Sequence, residues 1–114
     1  YDDLEDLHKW LDQAFHDGRR VGFAFSEIYK GEFKLDKLYI HPDVQRRGVG
    51  GQLIAHVAER AKKAGYPCVI LQVNKRNVNA INSYKKYGFV VREVMVDDIG
   101  RGYVMDDYVM EKKL

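Results

Sequence analysis

The chain has one cysteine, two prolines, one tryptophan and no long apolar run among its 114 residues. Each shortage closes off a class of protein. A lone Cys68 forms no internal disulfide and supplies no cysteine cluster for a metal. It sits in the apolar run Cys68-Val69-Ile70-Leu71, which predicts a buried strand residue in a reducing compartment, and so a cytoplasmic protein. No stretch is apolar over enough residues to span a bilayer as a helix, and no signal peptide is visible. A surplus of one charge is missing too. With 19 basic and 17 acidic residues the net charge is +2, which argues against a general nucleic-acid or membrane binder. There are no repeats, no low-complexity linker and no sign of a second domain, so one domain with one core is expected.

What the chain does have is Gln45-Arg46-Arg47-Gly48-Val49-Gly50-Gly51. This run follows Leu38-Tyr39-Ile40-His41-Pro42 and precedes an amphipathic stretch over 53–64. Strand, Gly-rich turn and helix start in that order form an anion cradle: glycines let the backbone approach closely, and the free N–H groups of a helix end favour a phosphate. The residues themselves therefore point to a phosphorylated ligand.

Around this run the pattern predicts a mixed α/β chain. Leu4, Leu7, Trp10, Leu11 and Ala14 recur at three and four residues and predict a helix, although Ala14-Phe15-His16 also reads as a strand feeding an Asp17-Gly18 hairpin. Strands are predicted at 21–29 and 33–40, with Gly31 in the turn between them. In the helix over 53–64, Leu53, Val57, Ala61 and Ala64 line one face, and Gly65 and Pro67 stop it. A strand at 68–73 follows, then a helix capped by Asn77 or Asn79 and ended by Gly88. Strands at 89–96 and 102–111 close the chain around a turn at Asp97-Asp98-Ile99-Gly100.

These residues resemble the GCN5-related N-acetyltransferases, the GNAT family. Its phosphate motif, Gln/Arg-x-x-Gly-x-Gly/Ala, is matched by Gln45-Arg46-Arg47-Gly48-Val49-Gly50. A second signature, Asn-x-x-Ala-x-x-x-Tyr-x-x-x-Gly-Phe, is matched by Asn77, Ala80, Tyr84, Gly88 and Phe89, with Leu71-Gln72-Val73-Asn74 between the two. The resemblance implies a mostly antiparallel mixed sheet with a central, splayed parallel strand pair and helices on both faces. It implies one acyl-CoA N-acyltransferase domain over 1–114, shortened at its amino end, where the family carries more of the acceptor wall.

The resemblance also implies the chemistry: direct transfer of acetyl from acetyl-CoA to a primary amine, without a metal. The cradle of Gln45, Arg46, Arg47, Gly48, Val49, Gly50 and Gly51 would hold the pyrophosphate. Backbone groups of Leu38, Tyr39 and Ile40 would bind the pantetheine arm and the acetyl carbonyl. Asn74 and Asn77 would line the cofactor cleft, with a cap or a turn as the alternative role for each. Tyr84 would give a proton to the departing sulfur, since a phenol with a pKa of about 10 is protonated at neutral pH; packing on the apolar face beside Ile81 is its structural alternative. Glu32 and Asp36 are the leading candidates to take the amine's proton, with His41 and Asp107 beside them. Asp106 and Asp107 interrupt an apolar strand, so one of them faces the apolar side and needs a partner, an acceptor amine or a basic side chain. Acidic residues near the cleft favour a cationic small-molecule or peptide amine. The tyrosine-rich tail is compatible with a homodimer. The competing reading is a non-catalytic acyl-CoA-binding or regulatory module, suggested by the short amino end and opposed by Tyr84.

Overall fold

Two tight turns build the first half of the sheet. The computed structural model describes residues 9–44, 48–100 and 103–114, without the side chains of 97–100 and 103–105. Strands β1 (Lys9–His16), β2 (Arg19–Tyr29) and β3 (Glu32–Ile40) form an antiparallel meander. Asp17 and Gly18 lie at φ 52° and 76°, and Lys30 and Gly31 at 50° and 79°. Positive φ at both central residues defines the two-residue hairpin turn whose twist matches that of its strands.

The first turn decides between the two readings of the amino end. Trp10, Leu11 and Ala14, spaced for a helix, lie in a strand instead; Leu4 and Leu7 fall outside the described residues. Pairing from Lys9↔Glu27 to His16↔Arg19 gives the backbone its hydrogen bonds along the whole segment. The side chains then follow period two: Trp10 stacks on Phe33 at 5.1 Å, and Asp12 meets Arg60 at 2.6 Å.

After β3 the chain runs through helix α1 (Val49–Lys63), strand β4 (Cys68–Asn74), helix α2 (Val78–Lys86) and the hairpin β5 (Val90–Gly100) and β6 (Tyr103–Lys113). The six strands are ordered β1-β2-β3-β4-β6-β5. The turn expected at Asp97-Asp98-Ile99-Gly100 is strand: Asp97, Asp98 and Gly100 pair with Met105, Val104 and Tyr103. A register shift between Asp98 and Gly100 lets the ladder continue where turn-forming residues would otherwise end it.

The core lies between the sheet and the helices. Leu53, Ile54, Val57 and Ala61 of α1 and Ile81 of α2 are buried with Phe33, Leu35, Val69, Leu71, Val73 and Met110. On β4, Val69, Leu71 and Val73 thus face the helices, which leaves Ile70, Gln72 and Asn74 on the opposite face. The helix implied for that second face has no counterpart among the described residues. No helix there is long and apolar enough to cross a membrane.

One feature of the sheet opens a cleft beside α1. The parallel strands β3 and β4 pair only at Phe33↔Val69 and Lys34↔Ile70. Just beyond, β3 carries a bulge: Leu35 and Lys37 face Ser26 and Phe25, and Asp36 is the extra residue. A bulge bends its strand, and from here β3 and β4 diverge into a wedge bounded by Leu38 and Tyr39 on one side and by the end of β4 on the other.

Candidate functional site

The amino end of α1 stands beside this wedge. Gly48 is its N-cap at φ 81°, a left-handed conformation that favours glycine, and no side chain caps the helix. The first intrahelical bond runs from the Gln52 N–H to the Gly48 carbonyl at 3.0 Å. The N–H groups of Val49, Gly50 and Gly51 therefore precede the ladder and have no acceptor within it. No acidic residue lies in the first turn, while Arg60, Lys62 and Lys63 lie in the last, so the helix dipole is left uncancelled at the end that attracts anions. Gln45, Arg46 and Arg47 lie outside the described residues.

Gly50 and Gly51 have a further reason to be small. A Cβ on Gly50 would stand 2.9 Å from the Tyr87 hydroxyl, and one on Gly51 3.3 Å from the Tyr87 ring. The missing side chains admit Tyr87, and with it the carboxyl end of α2, to the first turn of α1.

Between these elements opens a cavity of about 770 Å³. Leu38 and Ile40 line it from β3, Gly48 and Gly50 from the N-cap and first turn of α1, and Asn79, Ala80, Asn82, Ser83, Tyr84, Lys86 and Tyr87 from α2 and its C-cap. Six residues of the two sequence motifs and the strand before them thus meet at one cavity: Leu38, Ile40, Gly48, Gly50, Ala80 and Tyr84. The Tyr84 ring packs edge-on to Phe89 at 5.7 Å, and burial raises its phenol above the usual pKa. The packing role and the cavity-lining role of Tyr84 therefore coexist. Asn82, Ser83 and Lys86 were not anticipated, and Asn79 was expected only as an alternative cap of the helix. Their signal was present as a polar stripe at helical spacing opposite Ile81, but such a stripe is also what a solvated face looks like.

The remaining candidates are distributed around the wedge. Tyr39 lies on β3 between two lining residues and stacks on Phe23 at 5.6 Å. Val49 and Gly51 belong to the uncapped first turn. Asn77 caps α2, its side-chain oxygen accepting from the Ala80 N–H at 3.3 Å. Asn74 ends β4 on the face opposite the helices, accepting from the Arg76 N–H at 2.9 Å and donating to Asp107 at 3.1 Å. Glu32 precedes the two β3–β4 pairs and takes a two-point contact from Arg92, at 2.6 and 3.3 Å. Asp36 sits past those pairs, at the bulge, 3.6 Å from Lys34. Cys68 is half-buried rather than buried, because it begins its strand; its thiol pKa is raised by burial and by Glu111 and Glu32, which disfavours the reactive thiolate. Among the described residues no group of His, Cys, Asp and Glu is arranged to hold a metal.

The chain is similar to known proteins. Residues 1–89 match the profile of the "Acetyltransferase (GNAT) family". The peptidyl-lysine N-acetyltransferase YjaB of Salmonella typhimurium is 39% identical over 84 residues, covering 73% of this chain and 52% of the relative. The [ribosomal protein bS18]-alanine N-acetyltransferase of Escherichia coli is 31% identical over 77 residues, covering 68% and 52%. Among solved structures, the PaiA N-acetyltransferase of Thermoplasma acidophilum in complex with coenzyme A superposes with a TM-score of 0.79 at 28% identity, over 95% of this chain and 62% of that one. The chain spans about half the length of the curated relatives it matches.

Proposed function

We propose, from the premise that this chain belongs to the GNAT family of acetyltransferases, that it transfers acetyl from acetyl-CoA directly to a primary amine. The observation that carries the reading is the single cavity shared by the uncapped start of α1, the diverging stretch of β3 and Tyr84. The fit to a CoA thioester is physical. Three N–H groups and an uncancelled dipole suit a pyrophosphate, and the open space at Gly48, where an added Cβ would meet nothing within 4 Å, leaves room for one. Acetyl-CoA supplies the activated acyl group.

The chain's own residues do the rest. Val49, Gly50 and Gly51 orient the phosphates through backbone donors that are already in place and cost little reorganisation. Backbone groups of Leu38 border the wedge, those of Tyr39 being turned to the ladder with β2, and a donor there stabilises negative charge on the carbonyl oxygen. Tyr84 holds its proton at neutral pH and gives it to the departing sulfur; its raised pKa keeps the donor loaded. The amine must lose a proton, and of Glu32 and Asp36 the second stands nearer the wedge, past the last β3–β4 pair. Asn77 serves as a cap whose amide nitrogen remains for the ligand. The acceptor is a small-molecule or peptide amine, and a cytoplasmic location suits the unpaired Cys68. A homodimer would use the β5 edge, where Val90, Val91, Val94 and Val96 are exposed.

The test is acetyl-CoA binding by calorimetry together with amine-dependent thiol release, for wild type and Tyr84→Phe. The expected result is turnover that falls by about 10²–10⁴-fold in the variant while binding changes little. Binding without turnover on any amine would favour a non-catalytic acyl-CoA module. No binding by folded protein would overturn the cradle.

A further inference from the structure

The sheet face opposite α1 and α2 carries one side chain that the proposed chemistry leaves unused. Asp107 lies on β6 directly opposite Asn74, the last residue of β4, and is only 7% exposed. Its two carboxylate oxygens each accept from an amide, Oδ2 from Gln72 at 2.7 Å and Oδ1 from Asn74 at 3.1 Å. Gln72, Asn74 and Asp107 share the face opposite Leu71, Val73 and Met110, and β4 borders the wedge. The neighbouring carboxylate has its own cation: Lys75 pairs with Asp106 at 2.8 Å. Among the described residues Asp107 has neutral partners only, and no basic side chain pairs with it.

This is an expensive arrangement for structure alone. A buried carboxylate is costly unless its charge is met, and two neutral amides meet it only in part. Amide donors fix the direction of the carboxylate and leave about two of its four acceptor positions unfilled. Neighbouring strands lie about 4.8 Å apart, so Asp107, one strand beyond the wedge's border, stands about 5–10 Å from an amine attacking within the wedge. That is too far for the attacking nitrogen itself and suits a second charge on the same molecule.

We propose that Asp107, oriented by Gln72 and Asn74, is a cation subsite that selects acceptors carrying a second positive charge a short spacer away from the attacked amine: diamines and other dications. This rests on the acetyl-transfer reading for its placement, and the test separates the two. Putrescine is compared with aminobutanol, in which one ammonium is replaced by a hydroxyl. In wild type, kcat/KM for the diamine is expected to exceed that for the amino alcohol by about ten-fold or more, with the difference in KM. In Asp107→Asn the ratio is expected to collapse to within about two-fold of unity. A retained ratio, or an equal loss on both substrates, overturns the subsite, since a merely structural role affects both alike. Should Asp107→Asn not fold, Asn74→Leu keeps the carboxylate but frees one oxygen, and the ratio is then expected to fall by about half. If no amine is turned over, the acetyl-transfer reading fails by itself. The subsite is then read by calorimetry on the CoA-loaded protein: wild type binding putrescine no more tightly than aminobutanol would refute it, and a preference lost in Asp107→Asn would uphold it.

Discussion

Replacing Gly22 by alanine tests whether the wedge is held open by close packing. Gly22 lies on β2 opposite Ile40. A Cβ there would stand 2.9 Å from the Tyr39 carbonyl oxygen, 3.2 Å from Ile40 Cδ1 and 3.3 Å from Leu53 Cδ1. The two methyl groups can turn away by small rotations. The carbonyl cannot, because it belongs to the ladder between β2 and β3, so β3 itself must move. Overpacking of this kind costs about 1–3 kcal/mol, and alanine returns about 0.4–1 kcal/mol by restricting the unfolded chain. The net loss is about 0.5–2 kcal/mol, which at roughly 4 °C per kcal/mol lowers Tm by about 2–8 °C. Thermal and urea unfolding measure it. CoA affinity is expected to drop several-fold with it, because Tyr39 lies on the strand that borders the wedge. Adding Ile40→Val relieves a methyl contact but not the carbonyl, so the double variant should stay destabilised. An unchanged or raised Tm in Gly22→Ala would refute the reasoning.

Two further outcomes follow from named contacts. Burial raises the folded pKa of Tyr84 above its unfolded value of about 10, so its contribution to stability is intact below that pH and lost as pH rises through the raised value; urea titrations between about pH 9 and 11 should show a steeper loss in wild type than in Tyr84→Phe, and parallel curves would contradict the assignment. Arg60→Ala removes the cation 2.6 Å from Asp12, whose side chain is 6% exposed, and should cost about 2–3 kcal/mol in urea unfolding, less than a fully buried pair because Arg60 is 33% exposed; a loss below about 0.5 kcal/mol would mean that Asp12 is already satisfied by other groups.

Much of this protein is local enough to be read from its residues. Glycine fixes the left-handed start of α1 and the hairpin turns, Asn77 caps α2, and apolar continuity marks β4 as a strand. Those signals act within a few residues, through φ preference, capping and periodicity, and need no knowledge of the rest of the chain. Even so, the apolar positions 10, 11 and 14 fit a helix as well as a strand. Only the eight-residue ladder against β2 settled that ambiguity, because pairing gives the backbone partners that periodicity cannot foresee. The turn-like Asp97-Asp98-Ile99-Gly100 was overridden in the same way by β6.

The site divides along the same line. The uncapped helix start and Tyr84 were legible as motifs. Their meeting at one cavity, the bulge at Asp36 that parts β3 from β4, the Tyr87 ring filling the space at Gly50, and the pairing of Asp107 with Gln72 and Asn74 join residues dozens of positions apart. Sequence determined what each segment prefers to be. Which segments touch, and so which side chains share a charge or a cavity, was decided by the closing of the sheet, where the energy of one contact depends on all the others that hold its partners in place.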